Sequence, residues 1–292
     1  MNKTVLACLA IVSLACTRVE QTRPADPLPA VIANAGGQRA ALPALAGRRI
    51  CLDPGHDARY TPGTTARSAD GQVVLIEQDL TLAVAYRVKE LLEAEGAEVC
   101  VTRNEAGALQ TEPYDFNGNG SVRRLEDLAE WTQPRIDWMN QFGADAVLSI
   151  HFNGHPNPAI SGTEAYFSDT GPYYENNQAL AQSVLDSVIG SIQATGYSPV
   201  NRGLHSDAYK SDYLRYGPSY GLPAGCAGCN RLFTLGNNPM SASPGGWQAG
   251  ALVEVLFFSN PPDVGFLLRP DAFEVICQGI AGGIRGYLGP SP

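Results

Sequence analysis

Short apolar segments typical of β-strands alternate with amphipathic helical stripes along most of this 292-residue chain. The strand-like segments are 49–53, 97–102, 146–150, 163–167 and 251–258. The helical stripes cover 79–95, the stretch from Pro134 to Gly143, 180–192 and 273–287. Because a strand–helix–strand order places helices over a largely parallel sheet, the pattern predicts one α/β domain: a mostly parallel, twisted sheet with helices on both faces. The loop-rich stretch over 197–250 is predicted to be a surface insertion.

The N-terminus has the composition of an export signal. A positive charge at Lys3 precedes an apolar run over 4–15, which is shorter than the about 20 residues that a membrane-spanning helix needs. Residues 1–15 are therefore predicted to be a signal peptide. The sequence Ser-Leu-Ala-Cys that ends at Cys16 resembles the lipobox of bacterial lipoproteins, which predicts a lipidated Cys16 and a membrane contact through that anchor only. Simple secretion is the alternative.

The chain after the signal divides into a tether and a folded part. Residues 16–47 are rich in Ala, Pro, Arg and Gln and are predicted to be flexible. Roughly 240 residues remain over 48–289, which is enough for one large domain. The net charge of −9 argues against a nucleic-acid partner. We expect an exported protein of the cell envelope or periplasm.

Five cysteines lie in the predicted folded part, where an exported protein can form disulfides. Cys51 and Cys100 fall on two strands that could be neighbours, and Cys226 and Cys229 could close a small loop. A lone Cys-x-x-Cys pair is weak evidence for a metal. Cys277, on the apolar face of a helix, is expected to stay a free core thiol.

One carboxylate stands in the middle of the apolar segment 251–258. Burying an unpaired Glu254 there would cost several kcal/mol or shift its pKa strongly, so a metal, a cation or a reaction is expected to use it. A structural pair with an arginine is the alternative interpretation.

Three further metal-binding side chains lie beside predicted strands and helices. His56 and His151 each follow a strand, and Glu77 stands just before the first helix. Since reactive groups gather beyond the carboxyl ends of strands in α/β sheets, His56, Glu77 and His151 can converge at one edge. Two histidines and one carboxylate form a known catalytic zinc arrangement with an open position for water. Glu254 would then be available to take the proton from that water.

Several sequence blocks together resemble zinc-dependent N-acetylmuramoyl-L-alanine amidases of the amidase type 3 family. These blocks are Leu52-Asp53-Pro54-Gly55-His56, Glu77-Gln78-Asp79-Leu80, Thr102-Arg103, 135–140, Ala144-Asp145, Ser149-Ile150-His151-Phe152-Asn153, Leu252-Val253-Glu254-Val255, Phe258-Ser259-Asn260-Pro261 and Asp263. They follow one another from about residue 48 to 288, across nearly the whole folded part.

The resemblance implies a reaction and a role for each site residue. His56, Glu77 and His151 would bind zinc, and Glu254 would be the catalytic acid and base. The substrate would be the amide between N-acetylmuramic acid and L-Ala in peptidoglycan, so we expect a role in cell-wall remodelling or degradation. No activator protein can be identified from the sequence.

Two positions near the site need separate interpretation. The family usually has Gly after the first histidine, where this chain has Asp57, which leaves the shape of the ligand loop open. Arg135 could stabilise the oxyanion of the reaction, but a structural ion pair with Asp145 is the preferred interpretation.

The two remaining histidines, His155 and His205, are predicted to be surface residues. A contact near the site is the alternative interpretation for His155. A zinc-binding His-x-x-x-His pair needs a helix, which Gly154 and Pro156 oppose.

Residues 115–126 partly match the template of a calcium-binding loop. Asp115, Asn117, Asn119 and Glu126 supply oxygen side chains at template positions, and Gly120 supplies the turn. Arg123 replaces an oxygen ligand, so binding would be weak, and a polar turn followed by a helix is the alternative. A calorimetric titration that shows no heat from calcium, with no calcium retained in the purified protein, would rule the site out.

Two other functions fit the same sequence. A peptidoglycan-binding lipoprotein without catalysis could use this fold, although it would not need the buried acid. A zinc hydrolase that cleaves another amide is the second, because metal ligands do not determine the substrate.

Overall fold

The computed structural model describes residues 43–57, 62–68, 70–110, 128–169, 173–206, 235 and 249–289, with side chains of the second helix described from Pro134 onward. The predicted signal peptide, Cys16, most of the predicted tether, the candidate calcium loop over 115–126, Cys226 and Cys229 lie outside these residues. So does most of the predicted insertion.

Eight strands and five helices make up the described part of the chain. The strands are β1 (Arg49–Pro54), β2 (Thr65–Arg67), β3 (Val73–Ile76), β4 (Glu98–Val101), β5 (Ala146–Asn153), β6 (Thr163–Phe167), β7 (Asn201–Ser206) and β8 (Gly250–Phe257). The helices are α1 (Glu77–Ala94), α2 (Leu128–Phe142), α3 (Tyr174–Gln193), α4 (Pro261–Leu267) and α5 (Ala272–Leu288).

Six strands form the main sheet in the order β4-β1-β5-β8-β6-β7. Every neighbouring pair is parallel except β6 and β8, which are antiparallel. Helices α1, α3 and α5 cover one face over a large apolar core. Helix α2 covers the other face, where Ile136 and Met139 pack with Cys51, Val147 and Tyr166. The predicted α/β fold class is confirmed.

The two cysteines on adjacent strands form a disulfide. Cys51 and Cys100 are register partners in β1 and β4 and are bonded, which confirms that pairing. Cys277 is buried and free, as expected. Burial raises the pKa of its thiol well above the usual range. The thiol is therefore a neutral core group.

Some predicted boundaries are wrong. Helix α2 begins at Leu128, so Pro134 lies inside it instead of opening it; the missing proline N–H removes one internal hydrogen bond without ending the helix. Strand β7 joins the main sheet within the stretch predicted as an insertion. The hairpin of β2 and β3 was also missed, because strands of three and four residues carry almost no periodic signal.

Candidate metal centre and active site

His56, Glu77 and His151 come together from three separate parts of the chain. His56 follows β1, Glu77 is the first residue of α1, and His151 lies in β5. Among the described residues, His56 is the one non-glycine residue with a left-handed backbone conformation; its φ is 63°. Such strained conformations persist where the surrounding structure imposes them and are common at functional sites. The predicted juxtaposition is therefore present in the folded chain.

One carboxylate oxygen lies between the two imidazole rings. Glu77 Oε1 is 3.1 Å from His56 Nε2 and 3.1 Å from His151 Nδ1. One ligand atom from each of the three residues lies within 4.8 Å of the others. Backbone N–H groups of Thr64 and Phe152 donate to the two oxygens of Glu77 at 2.8 and 3.0 Å. These donors hold the carboxylate in place, as groups around a metal ligand commonly do.

Two glycines leave room for these side chains. A Cβ added at Gly55 would lie 2.3 Å from His151 Cε1, and one added at Gly63 would lie 2.4 Å from Glu77 Oε2. Real Cβ atoms do not approach other heavy atoms this closely. Gly55 and Gly63 therefore form the walls of a cradle fitted to the side chains of His151 and Glu77.

The surroundings favour a carboxylate at Glu77 and a neutral ring at His56. Burial lowers the pKa of His56. Burial also opposes the charge of Glu77, but hydrogen bonds with His151 and His56 outweigh it and hold the pKa of that carboxyl well below its usual range. In His151 the hydrogen bond to Glu77 and the charge of Glu254 overcome burial and raise the pKa. A metal ion would replace the proton that this ring attracts.

Glu254 lies beside the cluster, in the strand next to His151. It is the register partner of His151 in the parallel pair of β5 and β8. Paired positions project to the same face of a sheet, so the two side chains are neighbours. Glu254 is partly exposed, while Val253 and Val255 are buried. The strand is therefore buried and apolar on one face, and Glu254 lies on the other face, beside His151.

Two buried arginines, Arg135 and Arg103, hold the backbone segment that carries His56. The guanidinium of Arg135, which is 1% exposed, donates to Asp53 Oδ1 at 2.6 Å and to the His56 carbonyl at 2.8 Å. Arg103 donates to the carbonyls of Pro54 and Gly55 at 3.2 and 3.1 Å. Arg135 thus supports the backbone that carries His56 and is too deeply buried to stabilise an oxyanion. Removing one partner of such a buried pair typically costs about 3–5 kcal/mol.

The predicted partner of Arg135 is wrong. Asp145 accepts instead from the backbone N–H of Arg49 at 2.8 Å. Asp53 takes the guanidinium because it lies on the α2 face of β1, where Thr102 and Ser149 also donate to it. Arg135 and these hydroxyls lower the pKa of Asp53 against the effect of burial. Arg135 therefore forms a structural ion pair, as expected, but its partner is Asp53 and not Asp145.

The remaining histidines had different outcomes. His155 is exposed, which confirms a surface position. His205 is not a surface loop residue: it lies in β7 with its side chain 15% exposed, and its Nε2 is 3.4 Å from Glu164 Oε2. The polar sequence around His205 resembles a loop, but it forms an edge strand on which His205 faces the buried Glu164.

Among the described helices, none is long and apolar enough to cross a membrane.

The fold and the site define an α/β domain with a two-histidine, one-glutamate centre of the type that binds a catalytic divalent metal. Residues 50–286 match the model of the N-acetylmuramoyl-L-alanine amidase family. The chain belongs to this family. The match confirms the predicted family and enzyme class, an N-acetylmuramoyl-L-alanine amidase.

Two curated relatives agree with this assignment. The chain is 28% identical over 244 residues to the germination-specific N-acetylmuramoyl-L-alanine amidase of Bacillus subtilis, covering 84% of this chain and 81% of that protein. It is 28% identical over 166 residues to the probable cell wall amidase LytH of Staphylococcus aureus, covering 57% of this chain and 43% of LytH.

Two solved structures share the fold. The CwlD amidase of Clostridioides difficile, solved with the GerS lipoprotein, has a TM-score of 0.58 and 20% identity, covering 83% of this chain and 98% of that one. The catalytic domain of CwlV from Bacillus (Paenibacillus) polymyxa has a TM-score of 0.54 and 20% identity, covering 82% and 98%.

Proposed function

We propose that this amidase uses zinc to hydrolyse the amide between the lactyl group of N-acetylmuramic acid and L-Ala in peptidoglycan. His56, Glu77 and His151 would hold the zinc, and Glu254 would transfer the proton. The observation that carries the proposal is the ligand set within 4.8 Å, with Glu254 in register beside His151. The donors fit zinc, which favours imidazole and carboxylate ligands and keeps a position open in catalytic sites.

Each residue has a chemical task in this proposal. When bound, zinc supplies Lewis-acid polarisation of the scissile carbonyl and makes water in the site more acidic. Glu254 accepts a proton as the water oxygen bonds to the lactyl carbonyl carbon. It then returns that proton to the departing nitrogen as the C–N bond breaks, which leaves a lactyl carboxylic acid and a peptide with a free L-Ala amine. Arg135 and Arg103 keep the loop of His56 in position.

Removing the metal tests the zinc requirement. We expect purified protein to contain about one zinc per chain, to lose hydrolysis of peptidoglycan after treatment with a chelator, and to regain it on addition of zinc. Mass spectrometry should identify released stem peptides that begin with L-Ala. Cleavage between two amino acids would instead indicate a hydrolase for another amide, and binding without any cleavage would indicate a non-catalytic module.

We also propose that the enzyme acts in the cell envelope, tethered by a lipid on Cys16 through residues 16–47. The supporting observations are the apolar run over 4–15 and the Ser-Leu-Ala-Cys sequence that ends at Cys16. The natural host should incorporate radiolabelled fatty acid into the wild-type protein and not into Cys16→Ser. A wild-type protein that is released unlabelled after cleavage would show simple secretion.

A further inference from the structure

A row of ionisable side chains crosses the sheet from the candidate metal centre to its edge. His151 pairs in register with Glu254, and Glu254 pairs with Glu164 on β6. Because paired positions share a face, these side chains form a line. On β7, Arg202 Nε lies 2.7 Å and His205 Nε2 lies 3.4 Å from Glu164 Oε2. The row therefore ends at a cation.

Glu164 is a buried anchor for this cation. It is 2% exposed. Its Oε1 accepts from Asn153 Nδ2 at 2.7 Å and from the Tyr166 hydroxyl at 2.8 Å, while Oε2 accepts from Arg202 Nε. Donors on three strands thus fix the carboxylate, and the carboxylate in turn fixes the orientation of the Arg202 guanidinium.

The outer edge of that guanidinium is available to a ligand. The Arg202 side chain is 32% exposed, and its guanidinium lies 5.1 Å from the centre of the Phe257 ring. Its two terminal nitrogens donate to no group in the part of the chain that the structure describes. A guanidinium held by Nε and by an aromatic face presents a preformed fork for a carboxylate.

We propose that Arg202 binds a carboxylate on the second residue of the stem peptide, an inference that rests on the proposed function. The lactyl carboxyl is consumed in the scissile amide and the sugar is neutral, so the substrate carries its anionic groups on the peptide side. Glu164 lies two strands from His151, which is about 10 Å. The Arg202 guanidinium is held against Glu164 and above Phe257, so it lies at a similar distance. Two residues of an extended peptide span about 7 Å, and the carboxylate on the second residue extends beyond its Cα toward the guanidinium.

The test uses two synthetic muramoyl peptides that differ only at the second residue, one with a free carboxylate and one with the carboxamide. We expect the wild type to favour the carboxylate by about tenfold or more in kcat/KM, mainly through KM. Arg202→Gln should remove that preference, and Arg202→Lys should reduce it part-way, since it keeps the charge without the fork. Arg87→Gln is the matched control, because Arg87 is 35% exposed and also pairs with a glutamate, Glu274.

The alternative is that Arg202 has a structural role only and holds the edge strand β7 against β6 through Glu164. Equal losses on both substrates in Arg202→Gln, or no preference in the wild type, would overturn the inference. If Arg202→Gln does not fold, Arg202→Lys decides: an unchanged preference in that variant would overturn it as well. A wild type that cleaves neither peptide would overturn the proposed function together with the inference, whereas cleavage without preference overturns the inference alone.

Discussion

Glu254→Gln is expected to lower kcat on purified peptidoglycan by about a hundredfold to ten-thousandfold, the contribution typical of a positioned acid–base group. The amide has nearly the same shape as the carboxylate but cannot accept the proton of the attacking water. Because Glu254 is next to the proposed ligand His151 and is not itself in the proposed ligand cluster, the variant should keep its zinc. The measurements are steady-state kinetics on muropeptides and the zinc content of the purified variant.

The control is the same substitution at Glu98, an exposed residue of β4 whose side chain is 65% exposed. Glu98→Gln should have wild-type kinetics. Full activity in Glu254→Gln would remove the assigned proton transfer. Loss of both zinc and activity would mean that Glu254 belongs to the metal ligands instead.

Gly55→Ala is expected to disable the enzyme without unfolding it. The new methyl group would lie 2.3–2.5 Å from three atoms of the His151 ring, and the end of that side chain can turn away more easily than the backbone can move. A ligand displaced by about 1 Å can cost about a hundredfold in rate. We expect at least that loss in kcat/KM, together with weaker zinc binding in a competition titration with a chromogenic chelator.

Gly190→Ala is the matched control, since a Cβ at Gly190 in α3 meets nothing within 4 Å. Alanine there should stabilise the helix by up to about 1 kcal/mol and leave activity unchanged. Both variants should unfold cooperatively with urea. Wild-type zinc affinity in Gly55→Ala would show that the cradle is less tight than its geometry indicates.

The strands of the central sheet were predictable because they are apolar and long enough to show a pattern. Segments 146–150 and 251–258 correspond to β5 and β8. The hairpin and β7 were missed, because a polar edge strand such as 201–206 resembles a loop in sequence. Ion-pair partners were equally hard to predict. Asp53 and Asp145 are both carboxylates near strand ends, and only the packing of α2 against β1 brings Arg135 to Asp53.

The sequence by itself determined the fold class and the family, and it predicted His56, Glu77, His151 and Glu254 as site residues, since strand ends and family motifs are local features. Only the tertiary structure decided what surrounds them. The left-handed backbone at His56 and the room beside Gly55 depend on segments distant in the chain. The link from Glu254 through Glu164 to Arg202 depends on strand order. Strand order is set by long-range packing, which no local pattern encodes.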